Sequence, residues 1–590
     1  MERESDIAPR SLTGRVQRSA AGVALVAGGV AAVVVVGLMV NFWNLRVVNP
    51  LESPELAVLE RALADQPGNE QLRTRIREMD LQIRAQYLQR QRRADFGGAL
   101  LLAVVIVALA ALKLAIRRPV RVRVASAGSV APRSEPNVVS MRRALAAHGG
   151  LLLVGFVALA FAMPGGARRV GSQDGSAPNA QETEGAHGEP SWPCFRGPGG
   201  LGVALDADQY AYPVSWDVKT GANVRWKTRL ELAGKSSAVV WGDRVMCSGA
   251  DGARRVVYCL DAATGEVIWE RRVDREHPFA RREPKPVEVT ADTGHAASTP
   301  ATDGRHVFVV FANGDLAAYD VEGAFVWGRA LGQPENDYGH ASSLLVYGAR
   351  VIVQLDQAHE RDRRSTLLAL DARAGETAWR VERPVSASWT SPIVIGPEEA
   401  PTLVTAAAPW VIAYDPASGR ERWRSATVTG ELAPSPCFDD RSGLVFVASP
   451  WERLVALDPT GSGQLTDSHV RWAAQDDVPD IASPVAFDGF VYSLTTGGAM
   501  SCVRAENGEA VWRQEFDLVF HASPVCAGDR VYATGTDGTT IVVRAGERFE
   551  AVGRGAVGEP VDATPAFSRG RIYIRADDHL FCIAEAGGQP

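Results

Sequence analysis

The stretch LDAATGEVIW, residues 260 to 269, decides the fold. It reads as the end of one strand, a turn with an aspartate and a glycine, and a second strand ending in tryptophan. An aspartate at the start of such a turn can accept hydrogen bonds from the turn's own backbone, and a glycine supplies positive φ. The phrase returns along the chain. It appears as WDVKTGANVRW ending at Trp226, YDVEGAFVW at Trp327, LDARAGETAW at Trp379 and YDPASGRERW at Trp423. A longer form, LDPTGSGQLTDSHVRW, ends at Trp472, and AENGEAVW ends at Trp512. With Trp269, seven of the fourteen tryptophans occupy one repeat position. In the next unit, RAGERFEAV, Phe549 is expected to take that place.

A second phrase alternates with the first. A Ser-Pro or Thr-Pro opens a strand, followed by a turn and a β-rich strand, as in SPVAFDGFVYSL from Ser483 and TPAFSRGRIYIR from Thr564. The aligned Ser or Thr residues 237, 299, 343, 391, 435, 483, 523 and 564 are 62, 44, 48, 44, 48, 40 and 41 residues apart. Four short antiparallel strands in roughly 40 to 50 residues make one blade of a β-propeller. A lone sheet of that size leaves its faces wet, and radial stacking covers them. The fold is therefore all-β, with eight blades, and the long first step reflects an insertion around 271 to 292. The last unit stops without its Trp strand, whereas NVRW at 223 to 226 precedes every first strand. That N-terminal strand is expected to complete the C-terminal blade and lock the ring.

The first third of the chain is different. Residues 20–43, 96–116 and 144–163 are apolar runs of about the length needed to cross a hydrocarbon core roughly 30 Å thick, with Phe42-Trp43 suited to an interface. The segment 117–143 carries Arg117, Arg118, Arg121, Arg123, Arg133, Arg142 and Arg143 against the single acid Glu135. Such an excess is retained in the cytoplasm, which also puts residues 1–19 inside. Residues 44–95 and everything beyond 163 then lie outside a multi-pass cytoplasmic membrane protein, in the periplasm or beyond. Within 44–95, helices are expected over 54–65 and 69–93, divided by Gln66-Pro67-Gly68. Leu72, Ile76, Met79, Ile83 and Tyr87 form one apolar stripe, suited equally to packing within the loop or to oligomerisation. Residues 164–190 have the composition of a flexible linker.

The propeller region, 191–590, opens with SWPCFRGPGGLGVA, whose prolines and glycines suit neither a helix nor a central strand. The LDAATGEVIW and LDARAGETAW phrases with Ser-Pro-opened strands closely resemble the repeat of the pyrroloquinoline-quinone (PQQ)-type eight-bladed β-propellers. WPCFRGPGGLGV resembles the opening motif of membrane-anchored members, so this stretch is expected to lead into the ring across one face. The resemblance implies one of two activities. Quinoprotein alcohol and glucose dehydrogenases of this fold hold PQQ and calcium on the axis, the alcohol type often with a vicinal Cys-Cys ring and a haem. This chain has no Cys-Cys and no CxxCH among Cys194, Cys247, Cys259, Cys437, Cys502, Cys526 and Cys582, and its blades are lean. It is more similar to the second group, protein-binding propellers such as the lipoprotein of the outer-membrane β-barrel assembly machine. A scaffold without cofactor, binding a protein partner or small ligand, is the reading preferred; PQQ and calcium belong to the alternative.

With 62 Lys+Arg against 69 Asp+Glu, the chain carries no basic footprint for nucleic acid. Cysteine spacings give no metal or haem motif; Cys247 and Cys259 flank a turn and either face each other or serve as small buried residues. No catalytic set is assigned. Candidate ligand residues come from the positions just before each first strand, which should ring one mouth of the channel. They are Lys235, His295, His340, Trp389, Asp480, His521 and Asp562, a polar set with one aromatic platform. Trp226, Trp269, Trp327, Trp379, Trp423, Trp472, Trp512 and Phe549 are assigned to docking blade on blade.

The arginine asymmetry sets an expected topology. Protease added to intact spheroplasts should remove residues 164–590 and spare 117–143. Protection of the propeller would contradict the arrangement.

Overall fold

The four runs of each repeat pair as an antiparallel sheet because each presents β-branched and aromatic residues between tight turns. The structure is a computed structural model and describes residues 190–273, 279, 287 and 289–585. The expected spans 20–43, 96–116 and 144–163, the segments 1–19, 44–95 and 117–143, and linker residues 164–189 lie outside the described residues, as does most of the insertion around 271 to 292. Among the described residues no helix is long and apolar enough to cross a membrane.

Eight sheets follow one another in chain order. Blade 1 comprises Val239–Trp241, Arg244–Ala250, Arg255–Asp261 and Val267–Arg272. Blade 2 runs from Ala301–Thr302 to Phe325–Ala330, blade 3 from Leu345–Tyr347 to Thr377–Glu382, and blade 4 from Ile393–Ile395 to Glu421–Ser425. Blades 5, 6 and 7 start at Cys437–Asp439, Val485–Phe487 and Val525–Ala527 and end at Val470–Ala474, Ala510–Glu515 and Ala551–Ala556. Blade 8 takes three strands from the C-terminus, Ala566–Ser568, Arg571–Arg575 and His579–Ile583. Its outer strand is Val224–Arg229, paired so that Trp226 faces Cys582. The ring closes as the sequence implies.

The tryptophans join each blade to the next. The Trp226 indole N–H donates to the Ala262 carbonyl at 3.1 Å, across the junction of blades 8 and 1. The same link runs from Trp269 to Val321, Trp327 to Ala372, Trp379 to Pro416, Trp472 to Ala505 and Trp512 to Gly546, at 2.8 to 3.1 Å. Five of the indoles, those of Trp226, Trp269, Trp327, Trp379 and Trp472, also explain a turn glycine. A Cβ on Gly265 would lie 2.5 Å from Trp226, and one on Gly375 2.5 Å from Trp327. These glycines adopt positive φ, 75° and 67°, and carry the preceding blade's indole on their bare side. Asp261 accepts from the amides of Ala263 and Thr264 and fixes the turn.

Two junctions depart from the pattern. In blade 7 the residue in register with the other tryptophans is Gly553, opposite Val542, not Phe549. The lead-in strand Trp216–Asp217 lies alongside, pairing with Gly555 and Ala556, and Trp216 fills the space over Gly555. Phe549 instead packs edge-on against Trp512 of blade 6, with ring centroids 5.4 Å apart. In blade 5 the lengthened turn sends Gly463–Gln464 back as an extra strand beside Trp423–Arg424.

On the inside, the repeated Ser and Thr residues form a hydrogen-bonded ring. The Ser237 amide donates to the Thr299 hydroxyl, Thr299 to Ser343, Ser343 to Ser391 and Ser391 to Ser435. The series continues through Ser483 and Ser523 to Thr564, all at 2.8 to 3.1 Å. Residues linked so closely from blade to blade must encircle the axis. At the eighth junction the Ser237 hydroxyl is buried without a partner.

The lead-in crosses the far end of these innermost strands. Pro190 accepts from Ser568 of blade 8, Ser191–Trp192 pair with Val240–Trp241 of blade 1, and Pro193 accepts from Thr302 of blade 2. Cys194 packs in the core shared by blades 2 and 3, and Gly199 lies against Val394 of blade 4. Arg196, fully buried, donates to the Pro436 carbonyl of blade 5 at 2.9 Å and the Pro484 carbonyl of blade 6 at 2.5 Å. Val203–Ala204 pair with Cys526–Ala527 of blade 7. One segment thus meets blades 8, 1, 2, 4, 5, 6 and 7, and its glycines permit it: Gly197, at φ 72°, has the Trp192 ring where a Cβ would be.

Removing a buried aromatic costs about 3 to 5 kcal/mol. Trp226→Ala should therefore lower the melting temperature about as much as Trp423→Ala in mid-ring, measured by circular dichroism. An unchanged melting point after deletion of 190–230 would contradict closure.

Candidate functional site at the mouth of the ring

The approach to each innermost strand alternates sharply in burial. Two residues before the ring Ser or Thr lie Lys235, Ala297, Ala341, Trp389, Ala433, Ile481, His521 and Asp562, all at least partly exposed. One residue earlier, Ala296, His340, Ser388, Leu432, Asp480, Phe520 and Val561 are buried. This end lies opposite the lead-in. Of the residues expected at the mouth, Lys235, Trp389, His521 and Asp562 share the exposed register. His340 and Asp480 fall one position away and point into the blades, and His295 lies two positions away, half-buried.

Three of the four meet. Asp562 forms an ion pair with Lys235 and accepts or shares a hydrogen bond with His521 Nδ1 at 2.7 Å. Burial alone would raise the Asp562 pKa, but the bonds from His521 and Lys235 outweigh it and hold the carboxyl below its ordinary value. The cluster joins blades 7, 8 and 1 above the junction where the ring hydroxyl bond is missing. Arg575 lies in the same junction. It is 1% exposed, donates from Nη2 to the Leu232 carbonyl at 2.7 Å, and leaves Nε and Nη1 without partners.

The opposite side is aromatic. Trp389 meets Tyr338 edge-on at 4.6 Å, and its indole nitrogen is buried with no partner. Beneath, the Gln354 amide donates to Asp356 at 2.8 Å and to the Thr390 hydroxyl at 3.0 Å. Arg383 donates to Asp356 at 2.5 Å, both side chains having no exposure. His340 is 3% exposed with Nε2 unpartnered, and burial holds its pKa down to about 4. Asp480 is satisfied by the Thr496 amide at 3.0 Å and its hydroxyl. Tyr338, Gln354, Asp356, Arg383 and Arg575 were missed by the repeat alignment. Gln354 and Arg575 did leave a signal, as polar interruptions of the apolar strands RVIVQL and RIYIR.

The mouth thus sets an ionic cluster on one side against an aromatic pair on the other. All seven thiols are buried and free. Cys247 and Cys259 do not face each other: Cys247 pairs with Tyr258 and Cys259 with Met246, so their side chains leave opposite faces of blade 1. Calcium takes six to eight oxygen ligands, whereas the exposed carboxylate of this mouth is engaged by a lysine and an imidazole. Among the described residues no group of three or more His, Cys, Asp or Glu could hold a metal ion.

Fold and repeat together define a PQQ-like eight-bladed β-propeller. The sequence matches the family described as outer membrane protein assembly factor BamB over residues 198–289, 253–396, 363–482 and 407–548, and the chain belongs to that family. It is 22% identical over 353 residues to outer membrane protein assembly factor BamB of Yersinia pestis, covering 56% of this chain and 80% of that one. With the protein of the same description from Alkalilimnicola ehrlichii, identity is 32% over 168 residues, 28% of this chain and 37% of that one. Similar solved structures include BamB from Moraxella catarrhalis, with 15% identity, a TM-score of 0.45, and coverage of 62% of this chain and 98% of that one. Quinohemoprotein alcohol dehydrogenase from Comamonas testosteroni gives 15% identity and a TM-score of 0.48, over 68% and 82%.

Two acid transitions follow. His340 is neutral in the fold at a pKa of about 4, against about 6.5 ordinarily, so the unfolded chain binds its proton first as pH falls. Stability is lost between pH 6.5 and 4, by about 3 kcal/mol. Asp562, with its pKa depressed, stabilises above the ordinary carboxylate range and loses that contribution at still lower pH. His340→Gln should flatten the melting temperature between pH 6.5 and 4 while leaving the lower transition; an unchanged profile would place His340 in a hydrated site.

Proposed function

We propose that this chain is a non-catalytic binding scaffold that serves outer-membrane protein assembly, with its propeller outside the cytoplasmic membrane on the three N-terminal spans. The family match along 198–548 carries the reading. The mouth supports it. Its ionic residues engage one another, its aromatic side presents Trp389 and Tyr338, and among the described residues the blades are built of short strands. Partner contact through the mouth and the loops around it uses an amphipathic, partly desolvated surface of the kind that favours recognition. No quinone is required.

Cells deleted for the chain should show a reduced folded fraction of outer-membrane proteins, restored by the wild type. His521→Ala, Asp562→Ala and His340→Ala should each restore less than surface controls Glu270→Ala, Arg380→Ala and Glu550→Ala. Purified protein mixed with PQQ and Ca2+ should give the sum of the component spectra. A bound-quinone spectrum with alcohol-dependent dye reduction would replace the scaffold with a quinoprotein dehydrogenase.

A further inference from the structure

The turn Ser449-Pro450-Trp451-Glu452 joins the second and third strands of blade 5 at the mouth end. The Glu452 amide donates to the Ser449 carbonyl at 3.0 Å, with Pro450 in the second place and Trp451, at φ 65°, in the third. That third place in a type II turn belongs to glycine. The corresponding turns of blades 2, 6 and 7 place their positive φ one residue later, at the fourth-place glycines Gly314, Gly498 and Gly538, so among these turns the left-handed third place is peculiar to blade 5. A bulky residue there is a true conformational outlier. Trp451 is also 55% exposed, so the strain secures no core packing. Strain of this kind collects at functional sites.

Its neighbourhood is apolar and acidic. Ile481 of blade 6 and Val519, leading into blade 7, are 40% and 37% exposed on the same face. The surface segments 451–453, 475–481 and 513–519 carry Glu452, Asp476, Asp477, Glu515 and Asp517 against Arg453 and Arg513, with Arg513 paired to Asp477 and Glu515 and with Asp480 buried beneath. Such a surface repels anionic lipid headgroups and attracts a basic polypeptide.

We propose that Trp451 is the anchor of a docking surface on blades 5 to 7 for a partner polypeptide whose apolar side chains are interleaved with Lys or Arg. This rests on the protein-binding reading and adds a site apart from the Lys235–Asp562–His521 cluster. An exposed tryptophan with apolar neighbours and a charged surround has the composition of a binding hot spot.

The test uses the full chain and three fluorescein-labelled peptides, alternating Phe with Lys, Phe with Glu, and Ser with Lys, read by fluorescence anisotropy. The Phe-Lys peptide should bind, and each of the others at least tenfold more weakly. Trp451→Gly should weaken binding of the Phe-Lys peptide at least tenfold while leaving the melting temperature unchanged or higher. Asp476→Lys should weaken it, and the exposed outer-strand control Arg380→Ala should not. A lower melting temperature for Trp451→Gly would assign the tryptophan a structural role and overturn the proposal. Unaltered binding in that variant, equal binding of the Ser-Lys peptide, or no binding of the Phe-Lys peptide would also overturn it. So would Trp451-dependent binding to phosphatidylglycerol vesicles. Failure here with impaired restoration by His521→Ala and Asp562→Ala would leave the scaffold reading standing; quinone binding would remove that reading independently of Trp451.

Discussion

At five of the eight junctions a blade lays an indole on the bare glycine of the next blade's turn, and the ring is organised by that contact. The turn supplies both halves of the fit: aspartate fixes its backbone, and glycine leaves room for the ring. The contact also has a direction, from blade n to blade n+1, so a linear chain leaves one donor and one acceptor unmatched at its ends. Borrowing Val224–Arg229 for blade 8 puts Trp226 on Gly265 and matches them. The exceptions follow the same constraint. Where blade 7 has Gly553 instead of tryptophan, Trp216 arrives from the lead-in, and where blade 5 has a longer turn, its extra strand covers the outer edge of blade 4.

The lead-in adds a second constraint from the inside. By meeting seven of the eight blades across one end of the axis, it ties the N-terminus of the propeller to the ring and makes its two ends unlike. One end carries Arg196, bonded to the carbonyls of Pro436 and Pro484. The other carries the exposed register with Lys235, Trp389, His521 and Asp562. The mouth proposed for binding is thus at the opposite end of the ring from the lead-in.

The repeat was legible because its residues have local mechanical roles. The spacings between Ser237, Thr299, Ser343 and their successors are the separations of residues bonded around the inner ring. The site was less legible because it depends on a period-two alternation at the mouth: one residue separates exposed His521 from the register of buried His340. The positions just before each first strand therefore include both registers, partly exposed Lys235, Trp389, His521 and Asp562 and buried His340 and Asp480. The Lys235–Asp562 pair joins residues 327 apart and becomes visible only through closure. Phe549 was misplaced for a similar reason, since an aromatic near the expected position hid a glycine that needed a partner from elsewhere. Trp451 carries no repeat signal at all; its meaning lies in a backbone angle.

Closure as one cooperative unit is the central claim, and amide hydrogen exchange at the inner ring tests it most directly. The amides of Ser237, Thr299, Ser343, Ser391, Ser435, Ser483 and Ser523 each donate across a blade junction. The account predicts that all seven exchange through a single global opening, with one common free energy and one common denaturant dependence. Graded protection, with blades 8 and 1 opening ahead of the rest at much lower free energy, would show that the ring is a row of blades and that the N-terminal strand does not lock it.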